Sequence, residues 1–71
     1  MKKENKKYKI KNNGNFIYDK MTVRDIKTNK IKYISWKSAV EVEDNDASIF
    51  FEDEVNYMKD TYGKIKIYEV K

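Results

Sequence analysis

A chain of 71 residues with no cysteine and no histidine makes one small domain without disulfides, thiolate metal centres or the commonest general base. It is 39% charged, and no run approaches the roughly 18 consecutive apolar residues of a membrane-spanning helix. The net charge of +4 hides a sorting: Met1 to Lys37 carry 12 Lys/Arg against 3 Asp/Glu, a balance of +9, whereas Ser38 to Lys71 carry 4 against 9, a balance of −5.

Residues 1–6 form a basic, polar tail with no apolar stretch behind it, so no secretory signal is expected. Residues 7–71 read as a single α+β domain. Tyr8 and Ile10 alternate with Lys7, Lys9 and Lys11, the period-2 pattern of a half-buried strand. Asn13-Gly14 accepts the positive φ values of a type I′ turn, so Phe16 to Lys20 should return as the second strand with Ile17 facing Ile10. Met21 to Lys27 continues as strand, with Met21, Val23 and Ile26 alternating. Thr28-Asn29-Lys30 is the next turn, with Asn29 suited to the left-handed position. Ile31, Tyr33, Ile34 and Trp36 then give a third strand rich in β-formers.

Residues 37–43 fit either a strand, from the Val40/Val42 alternation, or a short helical turn capped by serine. Asp44-Asn45-Asp46 offers capping side chains and negative charge at a helix start. From Ala47 onward, Ala47, Phe51, Val55, Met58 and Tyr62 share one arc of a helix, and Gly63 sits where a terminating glycine belongs. Ile65 and Ile67 alternate with Lys64 and Lys66 in a closing strand. The expected architecture is a small antiparallel β-meander of three to five strands with one amphipathic helix on one face, in the order β-β-β-(β)-α-β.

Catalysis is not expected. Asp44, Asp46, Glu52, Asp53 and Glu54 lie mostly along one helix, where Asp53 and Glu54 diverge by about 100°; a two-metal site needs carboxylates that converge. Gly14 and Gly63 are the only glycines, which rules out a glycine-rich phosphate loop. Asp44-Asn45-Asp46 lacks the glycine and distal glutamate of a calcium loop. No cofactor or metal is expected.

Two binding surfaces stand out. On the helix, Glu52, Asp53, Asn56 and Asp60 surround Ile49, with Phe50 and Tyr57 at the boundary, an apolar anchor set with a polar rim. Such a face fits a basic groove on another protein. On the meander, lysines and aromatic rings are interleaved, the plan of a sheet that neutralises phosphates and stacks bases; Lys11, Lys20, Arg24, Lys32 and Trp36 are its candidate contacts. The opposite charges of the two halves also permit self-association.

Fifteen lysines against one arginine, with abundant Asn, Ile and Tyr, are similar in style to small accessory proteins of phages and mobile elements in low-GC bacteria. The resemblance is one of composition and implies no residue role. With it, the leading expectation is a cytoplasmic, non-catalytic protein that binds and inhibits or redirects a host protein, such as a defence nuclease or nucleic-acid-handling enzyme, through the acidic helix. The alternative is a nucleic-acid-binding module that uses the lysine- and aromatic-rich sheet.

Overall fold

The computed structural model describes residues 6–70; of the basic tail expected at residues 1–6, only Lys6 falls within them. Lys7–Asn12 forms strand β1 and Asn15–Arg24 strand β2. Between them Asn13 (φ 53°) and Gly14 (φ 84°) both take the left-handed conformation, the consecutive positive φ values of a type I′ turn. A second turn follows β2. There the Asp25 carboxylate accepts the N–H groups of Lys27 at 2.8 Å and Thr28 at 3.0 Å, and Asn29 adopts φ 63°.

Strand β3 spans Ile31–Ser38, helix α1 Glu52–Thr61 and strand β4 Ile65–Val70, with a single 3-10 turn at Asp44–Asp46. The strands form one antiparallel sheet in the order β3-β2-β1-β4. Helix α1 lies against one side of it. The result is the α+β architecture in the order β-β-β-α-β that the pattern of apolar residues implies.

The first hairpin is a fork. β1 and β2 pair only at Asn12↔Asn15 and Lys11↔Phe16, and beyond that the strands part. The segment Ser48–Phe50 fills the gap. Tyr8 and Phe50 exchange two backbone hydrogen bonds of 2.8 Å each, and the Ser48 N–H donates to the Ile17 carbonyl at 2.9 Å. The Lys20 N–H donates to Ser48 Oγ at 3.0 Å. A short extended piece thus satisfies backbone groups on both arms, which buried polar groups require.

This insertion explains where the helix begins. The apolar arc predicts helical turns from Ala47, but α1 starts only at Glu52, because residues 48–50 are committed to the fork. Phe51 is the N-cap, and its N–H donates to the Glu54 carboxylate at 2.8 Å. That is the reciprocal half of a capping box; phenylalanine has no side-chain acceptor for the other half. At the far end, Tyr62 is extended (φ −125°) and its N–H bonds the Met58 carbonyl at 2.8 Å. Gly63 is not among the left-handed residues, so the helix does not close on a glycine cap. Residues 39–43 form a turn and irregular chain rather than the strand that Val40 and Val42 suggest.

β2 carries a bulge. Asp19 takes φ 56°, and the pairing with β3 skips between Tyr18↔Lys37 and Met21↔Ser35. One extra residue reverses which side each later side chain faces. Ile17 points to the helix side, and after the bulge so do Lys20, Thr22 and Arg24, while Met21 is turned outward and is 56% exposed. The expected apolar run Met21, Val23, Ile26 is therefore not a core face; Ile26 lies beyond the strand in the turn, 99% exposed.

The core lies between sheet and helix. Ile10, Ile17, Ile34, Phe50, Val55 and Met58 are its buried cluster, with Tyr8, Ile31, Trp36, Tyr57, Tyr62, Ile65 and Ile67 packed around it. Trp36 meets Tyr62 edge-on at 5.4 Å between ring centroids, a favoured aromatic geometry.

Candidate functional site

The two sides of the sheet carry opposite chemistry. On the helix side the bulge aims three polar residues of β2 at the first turn of α1. Lys20 Nζ donates to Glu54 Oε1 at 2.8 Å and to the Ile49 carbonyl at 2.6 Å. The Thr22 hydroxyl donates to Glu54 Oε2. Arg24 donates to Asp53 Oδ2 at 2.8 Å. Glu54 is buried. That burial pushes its pKa up, but the hydrogen bonds from Lys20, Thr22 and the Phe51 N–H outweigh it, and the net direction is down. The Asp53 pKa is lowered as well, chiefly by the Arg24 hydrogen bond, and Arg24 is raised in turn by Asp53.

These contacts rearrange both candidate surfaces. Of the acidic-helix set, Phe50 is fully buried in the core and is no anchor: the fork claims its backbone and the core its ring. Ile49 is half-buried, with its carbonyl bound to Lys20. Tyr57 packs against the core. Asp53 is exposed but bonded to Arg24. Glu52, Asn56 and Asp60 remain on the open side of the helix, and Phe51, 42% exposed, stands where Phe50 was expected.

Of the sheet set, Lys20 and Arg24 face the helix and hold its carboxylates, and Trp36 packs against the core. Lys32 is exposed beside the second turn. Lys11 alone of the five stands among outward-facing rings. The structure therefore does not bring that set together. Cross-strand register predicts a different one. Residues opposite each other share a side of the sheet, so Lys11, Phe16 and Lys66 group with Tyr18, Lys37, Met21, Val23, Tyr33 and Tyr68 on the side away from α1.

No helix covers that side among the described residues, although Lys9, which shares it with Tyr68, is held by Asp44 of the 3-10 turn at 3.1 Å. Tyr33 is 49% exposed, Tyr68 42% and Met21 56%. Phe16 and Tyr68 lie 6.2 Å apart, and the Lys11 ammonium sits 4.7 Å from the Phe16 centroid and 5.6 Å from that of Tyr68. Lys66 and Tyr68 were open to sequence reasoning through the Ile65/Ile67 alternation, which sends them outward. The Asp19 bulge had no such signal.

Part of the sorted charge is paired within the fold. Lys9–Asp44, Lys20–Glu54 and Arg24–Asp53 join the basic half to the acidic half. Among the described residues no group of three or more acidic side chains is placed to hold a metal ion. No described helix is long and apolar enough to cross a membrane. Comparisons with protein-family models, with curated proteins and with solved structures found no match for the chain.

Proposed function

We propose that the protein is a non-catalytic module that binds single-stranded nucleic acid on the helix-free side of its sheet. One observation carries this reading: rings and lysines share the β-surface away from α1, while the helix carboxylates Asp53 and Glu54 are bonded to Arg24 and Lys20 on the opposite side. Rings standing on a sheet stack on unpaired bases of any sequence, and lysines track the phosphates. Phe16, Tyr18, Tyr33 and Tyr68 are the stacking platforms, and Lys11 and Lys66 the phosphate contacts, joined by Lys37 once it exchanges its exposed partner Asp19, 3.4 Å away, for a phosphate. A preponderance of lysine over arginine suits backbone contact rather than base-edge readout, so the binding should be indifferent to sequence.

An accessory role that occupies a basic groove on a host protein draws on the carboxylates of α1. Asp53 and Glu54 are already bonded to Arg24 and Lys20, and the anchor Phe50 is buried. These facts favour nucleic acid over that reading.

Fluorescence anisotropy with single- and double-stranded oligonucleotides at two salt concentrations tests the proposal. Single strands should bind more tightly than duplex, with a logarithmic salt slope of about −0.7 per phosphate contacted, or roughly −2 for three lysines. Absence of binding at low salt, or preference for duplex, overturns it.

A further inference from the structure

Beside the Asn13-Gly14 turn lies a cleft of about 370 Å³ lined by the turn itself, Lys11, Lys64, Ile65, Lys66 and Tyr68. We propose that this cleft receives a phosphate monoester, the terminal phosphate of a bound single strand; the proposal rests on the nucleic-acid reading of the adjoining face.

Three lysines line the cleft, and among the described residues no carboxylate does. None of the three belongs to an ion pair found among the described residues. Lys11 and Lys66 are direct cross-strand partners, and like charges in that position destabilise a sheet. The Lys11 ammonium finds partial compensation over the Phe16 and Tyr68 rings. Among the described residues no ring or carboxylate offers the same to Lys64 and Lys66. An uncompensated cluster of this kind lowers its energy by taking up an anion.

The valence of that anion follows from the count. A bridging phosphodiester brings one negative charge. A monoester brings about 1.5 to 2 at pH 7 and three strong acceptor oxygens. Three ammonium groups, each able to turn its donors freely, match the second better than the first. The position agrees. The cleft sits at a corner of the sheet, where the first turn meets the start of edge strand β4. The Asn13 N–H donates to the Lys64 carbonyl at 3.3 Å, which ties turn and strand together beneath it. A strand lying across the rings would reach this corner with one of its ends, and Tyr68 lines both the cleft and the ring-bearing face.

The experiment compares one short single strand carrying a 5′-phosphate, a 3′-phosphate or hydroxyls at both ends. One phosphorylated form should bind about tenfold more tightly than the hydroxyl form, as expected for added charge-assisted hydrogen bonds, and the favoured end sets the direction of the strand on the sheet. In Lys64→Gln the difference between the ends should shrink to less than about threefold. Equal affinity for all three strands overturns the terminal-phosphate site and leaves the nucleic-acid reading standing. A preference that survives unchanged in Lys64→Gln also overturns the site. No binding by any strand overturns both.

Discussion

Lys20 Nζ lies 2.8 Å from Glu54 Oε1, with 14% and 5% of the respective side chains exposed. This pair fastens the first turn of α1 to the middle of the sheet. Its remaining valences are filled by Ile49, Thr22 and the Phe51 N–H, as a buried pair requires if its desolvation is to be offset. Removal of one partner leaves the other buried and unpaired. Lys20→Met or Glu54→Gln alone should cost about 3–5 kcal/mol, a large share of the roughly 4–10 kcal/mol available to a chain of this size. The double change Lys20→Met/Glu54→Leu should recover much of the loss. Urea denaturation of the three variants measures it.

Acid should loosen the same junction. Glu54 and Asp53 have pKa values below their ordinary 4.5 and 3.8, so the folded state binds fewer protons than the unfolded chain in that range. Their contribution is complete above the ordinary values and is lost as pH falls through the lower folded ones. Stability should therefore be level from neutrality down to about pH 5 and drop below it. Glu54→Gln should make the drop shallower, which thermal melts at a series of pH values would reveal.

Phe50 and Phe51 are neighbours with opposite fates. The first is fully buried, the second 42% exposed. Phe50→Ala should cost about 3–5 kcal/mol, and Phe51→Ala about 1 kcal/mol or less. If the two cost the same in chemical denaturation, the fork assignment of Ser48–Phe50 is wrong.

Asp19 holds φ 56° to make the bulge. A β-branched side chain tolerates that conformation poorly, so Asp19→Val should destabilise by roughly 1–2 kcal/mol, whereas Asp19→Gly should be close to neutral. Melting temperatures of the pair separate backbone strain from loss of the carboxylate.

On the open face, Tyr68→Ala and Tyr33→Ala should each weaken single-strand binding by about 1–3 kcal/mol. Arg24→Gln should leave that affinity unchanged, because Arg24 serves the helix. Anisotropy titrations read both, and loss of affinity in Arg24→Gln would place the ligand on the wrong side of the sheet.

Much of the fold is legible from residues alone. Asn13-Gly14 and Asn29 mark their turns because few residues accept positive φ; the alternation around Ile10 and Ile67 locates two strands, and the β-formers Ile31, Tyr33, Ile34 and Trp36 locate a third. The site is less legible, for a local reason. Period-2 reasoning assumes an unbroken strand, and one left-handed aspartate defeats it: Lys20 and Arg24 look like outward cations until Asp19 reverses their direction. The helix start was hidden in the same way. Ala47 and Phe51 fit a helical arc, but the backbone from Ser48 to Phe50 is needed by the distant residues Tyr8, Ile17 and Lys20, and no local propensity records such a demand.

The fork has a kinetic meaning. A chain made from its N-terminus presents both arms of the first hairpin long before Phe50 is available, and the tight turn invites them to zip together completely, with Ile10 against Ile17. A hairpin zipped in that way excludes Ser48–Phe50, so the native arms must stand apart over the residues that bond this segment. The first hairpin is thus completed by a segment from the last third of the chain.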